Sequence, residues 1–348
     1  MKGTMKAVVK ETAEPGAVYR TDWPIPTIGD HEVLVKVKAT AICGTDQHIY
    51  PWTPWAQNRV KPPMVFGHEF AGDIVEKGAK VTGFELGDRI AGETHIPCNN
   101  CGQCHTDNRH ICENMKIIGV HVPGSFAEYI GVPQDCLWKL GDLVDYQTGA
   151  MLEPMGVAVH GLTETEIKGK NLVIMGCGPI GLMAVNAAKI LGAKKVVATD
   201  VVPQKMALAA ELGADLTVDS SKSQAAEAIF KLLGRGGADV VVDYTGSVAA
   251  IKEGFNWLRL GGTFVLVGLP NQEISLDLTT NVIYKEAKIF GVTGRRMYQT
   301  WEKCEKILNS GNFFMNKIIG GVYKLEEFEK AFDSLKSGAV GKMLLIPA

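Results

Sequence analysis

Long apolar runs are missing from this 348-residue sequence. The most apolar window, Leu172 to Val185, is interrupted by glycines and falls short of the roughly 20 residues that a membrane-crossing helix needs. The opening MKGTMKAVVKETAEP has no apolar segment of the kind that marks a secretory leader. Net charge is nearly absent as well, since 36 basic residues against 38 acidic ones leave −2. That balance gives neither a nucleic acid nor an anionic membrane anything to hold. Charge runs, low-complexity tracts and fixed-period repeats are also missing. The composition, 46% hydrophobic and 21% charged, is that of a globular protein, and a cytoplasmic location is expected. At this length one core is unusual, so two domains are expected.

The first half of the chain reads as strand-rich and irregular. Glu32 to Ala39 alternates apolar and polar residues, the pattern of a half-buried strand. Phe70–Val75 and Asp88–Ala91 look like further short strands set off by glycines. From Asn171 the rhythm changes. Apolar runs recur at Leu172–Met175, Val196–Thr199, Leu216–Val218, Val240–Asp243, Phe264–Val267 and Ile289–Val292. Helical patterns at Gly181–Leu191, Lys205–Leu212 and Ala225–Leu233 lie between them. The fold class implied is α/β, a doubly wound parallel six-stranded sheet of the Rossmann kind. After Gly294 come a helix, a short strand, a second helix and a last strand at Lys342–Ile346. Spacing alone leaves open which domain this tail joins.

Three motifs carry chemistry. Gly176-Cys177-Gly178-Pro179-Ile180-Gly181 follows a strand and opens a helix, and Asp200 closes the next strand 19 residues beyond Gly181. In that context the glycines allow a tight turn, a close phosphate and close helix packing, while the carboxylate suits the ribose hydroxyls of NAD and repels a 2′-phosphate. Cys98, Cys101, Cys104 and Cys112 fall within 15 residues, and four thiolates at that spacing close a tetrahedral structural zinc site. An iron–sulfur cluster is the competing ligand reading. Cys136, Cys177 and Cys304 are isolated and read as inert packing residues.

The third motif is AICGTDQHIYPWTPWAQNRVKPPMVFGHEF, Ala41 to Phe70. Cys43, His68 and Glu69 offer zinc one sulfur, one nitrogen and one oxygen, and three protein ligands with an open fourth position is the catalytic pattern. Asp46 is placed to orient His68, and Thr45 with His48 to carry a proton to solvent. Trp52 and Trp55 either wall a pocket or pack their loop. Arg295 and Arg296 either attract an anion or face solvent.

Taken together, CGTD, GHE, the four-cysteine lobe and GCGPIG make the chain resemble a zinc-dependent medium-chain dehydrogenase of the alcohol dehydrogenase superfamily. HIYPWTPWAQNRVKPP, ETHIPC and GRRMYQTW place the resemblance nearest the branch that oxidises L-threonine, and it spans essentially the whole chain. The resemblance implies a mainly-β GroES-like catalytic domain at 1–155 with its structural zinc lobe at 93–115. An NAD-binding Rossmann domain at 156–296 and a C-terminal return to the catalytic domain at 297–348 would follow. It also implies two zinc ions per subunit: a catalytic one on Cys43, His68 and Glu69 and a structural one on the four-cysteine lobe. Thr45 and His48 match a proton relay, and Glu153 matches an acidic residue needed for activity. The NAD contacts by resemblance are Gly176, Gly178, Ile180, Gly181, Asp200, Lys205, Val267, Gly268, Leu269, Val292 and Thr293. A homotetramer acting on a small secondary alcohol is expected, with no nucleic-acid or membrane partner.

One departure bears on the substrate. The threonine-oxidising branch usually reads E/D-P-x-G-N-A-V, whereas this chain has EPMGVAV with Val157 in the asparagine position. Relatives that oxidise polyols or vicinal diols carry an apolar residue near there, so that substrate class is the alternative. A catalytically silent NAD-binding sensor is the remote one, and such a protein would be expected to have lost zinc ligands or relay residues. All of them are present here.

Overall fold

The computed structural model describes residues 2–347 and divides them into two compact units. One unit takes the chain through Glu153 together with everything from Ile319 onward, and the other is Pro154–Ile318. The helices Gln299–Leu308 and Met315–Ile318 therefore fall in the second unit, and the chain rejoins the first only at the strand Ile319–Lys324.

The second unit is built on six parallel strands: Asn171–Met175, Lys195–Asp200, Leu216–Asp219, Ala238–Asp243, Leu258–Leu266 and Lys288–Gly291. Their spatial order is third, second, first, fourth, fifth, sixth, which is the doubly wound dinucleotide order. Each strand overlaps one of the six apolar runs; the inner ones are covered on both faces and so must be apolar along their length, while the edge strand Lys288–Gly291 stays largely exposed. Leu172, Val173 and Ile174 are completely buried, as are Val196, Val197 and Ala198. The helices Pro179–Ile190 and Pro203–Glu211 both begin on proline, whose missing N–H costs nothing in the first turn. Phe255 and Phe264 stack at 4.4 Å in the core beneath the sheet.

The first unit is mainly β. Its seven-stranded sheet runs Leu137–Lys139, Arg89–Gly92, Glu69–Lys77, Glu32–Ala41, Lys342–Ile346, Ile319–Lys324, with Tyr129–Pro133 also pairing with Glu32–Ala41. Beside it lie a three-stranded sheet of Val18–Pro24, Thr4–Lys10 and Met64–Val65 and a two-stranded one of His95–Ile96 and Lys116–Ile117. Phe66 and Phe126 meet edge to face at 4.9 Å in a core that also takes in Val8, Phe332 and Leu345. Each such phenylalanine, fully buried, contributes roughly 1.5–3 kcal/mol.

Register sets where chemistry can happen. Ala41 lies opposite Glu69 on one side and Leu344 on the other, and Ile42 N–H donates to Met343 O at 2.9 Å. Cys43, Glu69 and Lys342 therefore issue from the same end of three neighbouring strands. Gly67 makes the turn into His68 possible. Its φ of +86° is left-handed, and a Cβ there would lie 2.2 Å from the Phe126 ring.

Candidate metal centre and dinucleotide site

A buried imidazole, a buried carboxylate and a half-buried thiol meet at the strand ends just described. One ligand atom from each of Cys43, His68 and Glu69 lies within 4.8 Å of the others. His68 Nδ1 and Glu69 Oε2 are buried without a hydrogen-bond partner, and burial pushes the Cys43 thiol above its ordinary pKa against the pull of Lys342. Orphaned acceptors beside a buried thiol form an expensive arrangement in apolar surroundings, and a cation resolves it. The donor set S, N, O fits zinc with a position left over.

The surroundings hold these groups in place. Thr40 Oγ1 donates to the Glu69 carbonyl at 2.8 Å and sits 2.8 Å from Ser125 Oγ, fixing the backbone of the His68–Glu69 pair. Asp46 does not make the expected bond to His68. Its Oδ2 accepts the Cys43 N–H at 2.8 Å, while Oδ1 stays without a partner. The three-residue spacing closes a turn around Cys43 before the side chain can reach an imidazole, so Asp46 braces the thiol's loop and acts on His68 through charge. Burial raises its carboxyl, with His68 and the N–H groups of Cys43 and Gly67 pulling the other way.

Lys342 was not legible as a site residue. It is 5% exposed, and its Nζ donates to Glu69 Oε1 at 2.6 Å. Burial alone would lower its pKa, but the charges of Glu69 and Cys43 outweigh that and hold the ammonium above its ordinary value. The available signal was a lysine heading an otherwise apolar strand, KMLLI. Glu153 is buried in the first turn of the helix Leu152–Thr163, and its charge reaches Cys43, Glu69 and Lys342.

Thr45 is half-buried with Oγ1 3.9 Å from Cys43 Sγ, and His48 is exposed with Nδ1 3.3 Å from Thr53 Oγ1. The His48 N–H bonds back to Thr45 O at 3.0 Å, so one short helical turn presents both side chains. Trp55 packs on the His48 ring at 5.7 Å. Trp52 instead joins the core, with the Lys10 ammonium 4.9 Å from its ring centre.

In the lobe, the ligand sulfurs of Cys98, Cys101, Cys104 and Cys112 all lie within 4.8 Å of one another. Cys101 Sγ is 3.5 Å from Cys104 Sγ and 3.8 Å from Cys112 Sγ. Tetrahedral Zn–S bonds of about 2.3 Å imply edges of about 3.8 Å, so sulfurs this close suit one zinc ion better than an iron–sulfur cluster. The N–H groups of Cys98 and Asn114 point at Cys112 Sγ at 3.2 and 3.3 Å. The Asn100 N–H, with the side chains of Cys112, Asn114 and Cys101, holds the Cys98 thiol down at about 6. Cys136, Cys177 and Cys304 are fully buried, and burial pushes Cys177 and Cys304 up to about 12, as inert thiols require.

The second unit carries a cleft of about 500 Å³ lined by Gly176, Gly178, Asp200 and Lys205, together with Ser220, Ser221, Tyr244, Thr245 and Ser247. Asp200 is clamped: Oδ2 accepts the Cys177 N–H at 2.7 Å, and Oδ1 accepts those of Val201 and Val202 at 2.8 and 2.9 Å. A Cβ on Gly181 would stand 1.8 Å from Gly176 O, whereas one on Gly178 meets nothing within 4 Å. That open space before the free N–H groups of the helix Pro179–Ile190 fits a pyrophosphate. Ile180 and Gly181 lie in that helix's first turn, while Val267–Leu269 and Val292–Thr293 follow the carboxyl ends of the fifth and sixth strands, outside the lining of this cleft. Arg295 is fully buried against Gly156, and Arg296 pairs with Glu164 at 3.1 Å, so neither simply faces solvent.

Comparison with known proteins agrees with this chemistry. Residues 29–142 match the family described as alcohol dehydrogenase GroES-like domain, and residues 179–310 match that described as zinc-binding dehydrogenase. An L-threonine 3-dehydrogenase of Bacillus velezensis is 43% identical over 100% of both chains. A solved structure from Sinorhizobium meliloti that holds NADP is 32% identical with a TM-score of 0.88, covering 99% of both chains. The 2R,3R-butanediol dehydrogenase of Bacillus subtilis superposes with a TM-score of 0.88 at 27% identity, covering 99% of this chain and 100% of that one.

Two outcomes are expected. Gly178→Ala leaves the thermal midpoint unchanged and weakens dinucleotide binding, whereas Gly181→Ala destabilises the apo-protein by roughly 1–3 kcal/mol, because its Cβ has nowhere to go. Equal midpoints for the two variants would contradict these glycine assignments. Cys43→Ser is expected to lose one of two zinc ions per chain and all turnover while binding dinucleotide normally. Metal analysis showing both ions retained with wild-type activity would remove Cys43 from the site.

Proposed function

Because the chain belongs to the zinc-dependent alcohol dehydrogenase family, we propose that it oxidises the secondary alcohol of L-threonine to 2-amino-3-oxobutanoate, with NAD accepting the hydride. The observation that carries this reading is the Cys43–His68–Glu69 set, gathered within 4.8 Å in a chain alignable end to end with an L-threonine 3-dehydrogenase.

In this reading Cys43, His68 and Glu69 hold the catalytic zinc, which as a Lewis acid makes a substrate hydroxyl easier to deprotonate. Thr45, half-buried beside Cys43, takes the hydroxyl proton as its own hydroxyl proton passes to exposed His48 and from there to water. The Cβ–H bond then breaks with its electron pair, leaving a ketone. Glu69 is committed to Lys342, so recognition of the substrate ammonium falls to Glu153. Asp200, with its carboxylate locked by three backbone N–H groups, receives the ribose hydroxyls and disfavours a 2′-phosphate. NAD is therefore preferred to NADP, with Lys205 beside it as the opposing charge.

A second reading, oxidation of a polyol or vicinal diol, is favoured by Val157. That residue is half-buried and apolar, and the butanediol dehydrogenase shares the whole fold.

We further infer a homotetramer in the cytoplasm. No helix among the described residues is long and apolar enough to cross a membrane. The sixth strand, Lys288–Gly291, ends its sheet, and Leu278, Ile283, Tyr284 and Ile289 of this region are 59, 64, 75 and 41% exposed. An open edge bearing apolar side chains supports self-association.

The substrate test is NADH formation by zinc-loaded protein on L-threonine, L-allo-threonine, sorbitol and 2,3-butanediol. L-Threonine is expected to lead by at least about tenfold in kcat/KM, equivalent to about 1.4 kcal/mol of transition-state discrimination. A lead for the diol or polyol would move the chain to the neighbouring substrate class and leave the metal and dinucleotide assignments standing.

A further inference from the structure

The ammonium of Lys342 is the one feature of the metal centre that the proposed reaction leaves without a role. It stands at the head of the strand Lys342–Ile346, 5% exposed, and reaches Glu69, which is 0% exposed. The contact is specific to one oxygen. Oε1 receives the ammonium at 2.6 Å, while Oε2 has no hydrogen-bond partner and is shielded from water. Both side chains are almost wholly buried, and the backbone of Glu69 is held through Thr40.

Carboxylates bind metal ions through one oxygen or two. With both oxygens committed, Glu69 would join Cys43 and His68 in filling the coordination sphere, and an incoming substrate would find no position. With one oxygen held elsewhere, the sphere stays incomplete.

We propose that Lys342 is a positioning residue that holds Oε1 of Glu69 away from the metal, so that Glu69 offers the ion a single oxygen and the site keeps an open position for substrate. The proposal rests on the assignment of Cys43, His68 and Glu69 as metal ligands, and it is indifferent to which secondary alcohol is the substrate. It differs from a packing role in its consequence. A lysine that merely filled space would, when lost, loosen the metal; a lysine that restrains a ligand would, when lost, leave the metal bound and the site closed.

The test replaces the catalytic zinc by cobalt, whose visible absorption reports ligand number, in the wild type, Lys342→Met and Lys342→Arg. Lys342→Met is expected to keep both metals per chain and to resist a chelator at least as well as the wild type. Its cobalt spectrum should differ from that of the wild type and stop responding to either L-threonine or 2,3-butanediol. Turnover should fall about 10- to 100-fold, the range typical for groups that orient metal ligands. Lys342→Arg, which keeps the cation, should retain the wild-type spectrum and its response. Loss of the catalytic metal from Lys342→Met, or a spectrum in that variant that still responds to substrate, would overturn the proposal. If Lys342→Met does not fold, the pair Glu69→Gln with Lys342→Met decides, since it buries no unpaired charge. The proposal requires that double variant to show an open, substrate-responsive cobalt site, and a closed one refutes it. A wild type that responds to the diol and not to L-threonine would correct the substrate while leaving these spectra to judge Lys342.

Discussion

Burying several ionisable groups together is the constraint around which the first unit is arranged. Cys43, Asp46, Glu69 and Glu153 gather where water is largely excluded, and an unpaired charge in such a place costs several kcal/mol. The protein meets this cost in separate ways for each group. Asp46 gives one oxygen to the Cys43 N–H of its own turn and keeps the other unpaired. Glu69 has half of its carboxylate taken by Lys342. Also unsatisfied are the Cys43 thiol, an imidazole nitrogen and one carboxylate oxygen, the donor set of a metal ion. These three groups meet at one place, and they define its chemistry.

Such a centre needs a backbone that cannot relax. Three adjacent strands deliver Cys43, Glu69 and Lys342, and their register is locked by the apolar residues on either side of Ala41 and Leu344. The turn into His68 requires left-handed Gly67, sealed by the Phe126 ring, and the buried Thr40–Ser125 hydroxyl pair anchors the carbonyl of the next residue. A slip of one residue in any strand would turn the ligands to the opposite face. Stability and function are therefore set by the same contacts in this unit.

How much of this could be read in the sequence follows from how far apart the cooperating residues lie. The apolar runs marked out the parallel sheet because its inner strands, covered on both faces, have no choice of composition. The four-cysteine lobe was equally plain, since all its ligands fall within 15 residues and must meet whatever the rest of the chain does. Cys43 and His68-Glu69 were legible as types and needed the fold to bring them together. Lys342 was not legible, because 273 residues separate it from Glu69 and nothing in the spacing announces the pairing. The expected Asp46–His68 bond failed for the opposite reason. Local geometry won, since a carboxylate three residues from Cys43 reaches that residue's own N–H first. Trp52, too, packs in the core, as the packing reading of its motif expected.

The two metal centres show why open and closed sites call for different construction. In the lobe, four like sulfurs within 4.8 Å of one another and backbone N–H groups aimed at sulfur would leave an ion nothing further to bind. Such a site can be encoded by one loop, since its only task is to be complete. The catalytic centre must be incomplete, and incompleteness is harder to hold: any spare carboxylate nearby tends to close it. Preventing that takes a group on a different strand, fixed by packing and charged oppositely to the ligand it restrains. Distance along the chain is thus a consequence of function here. A ligand and its restraint placed in one short loop would move together, whereas two strands of one sheet hold them apart.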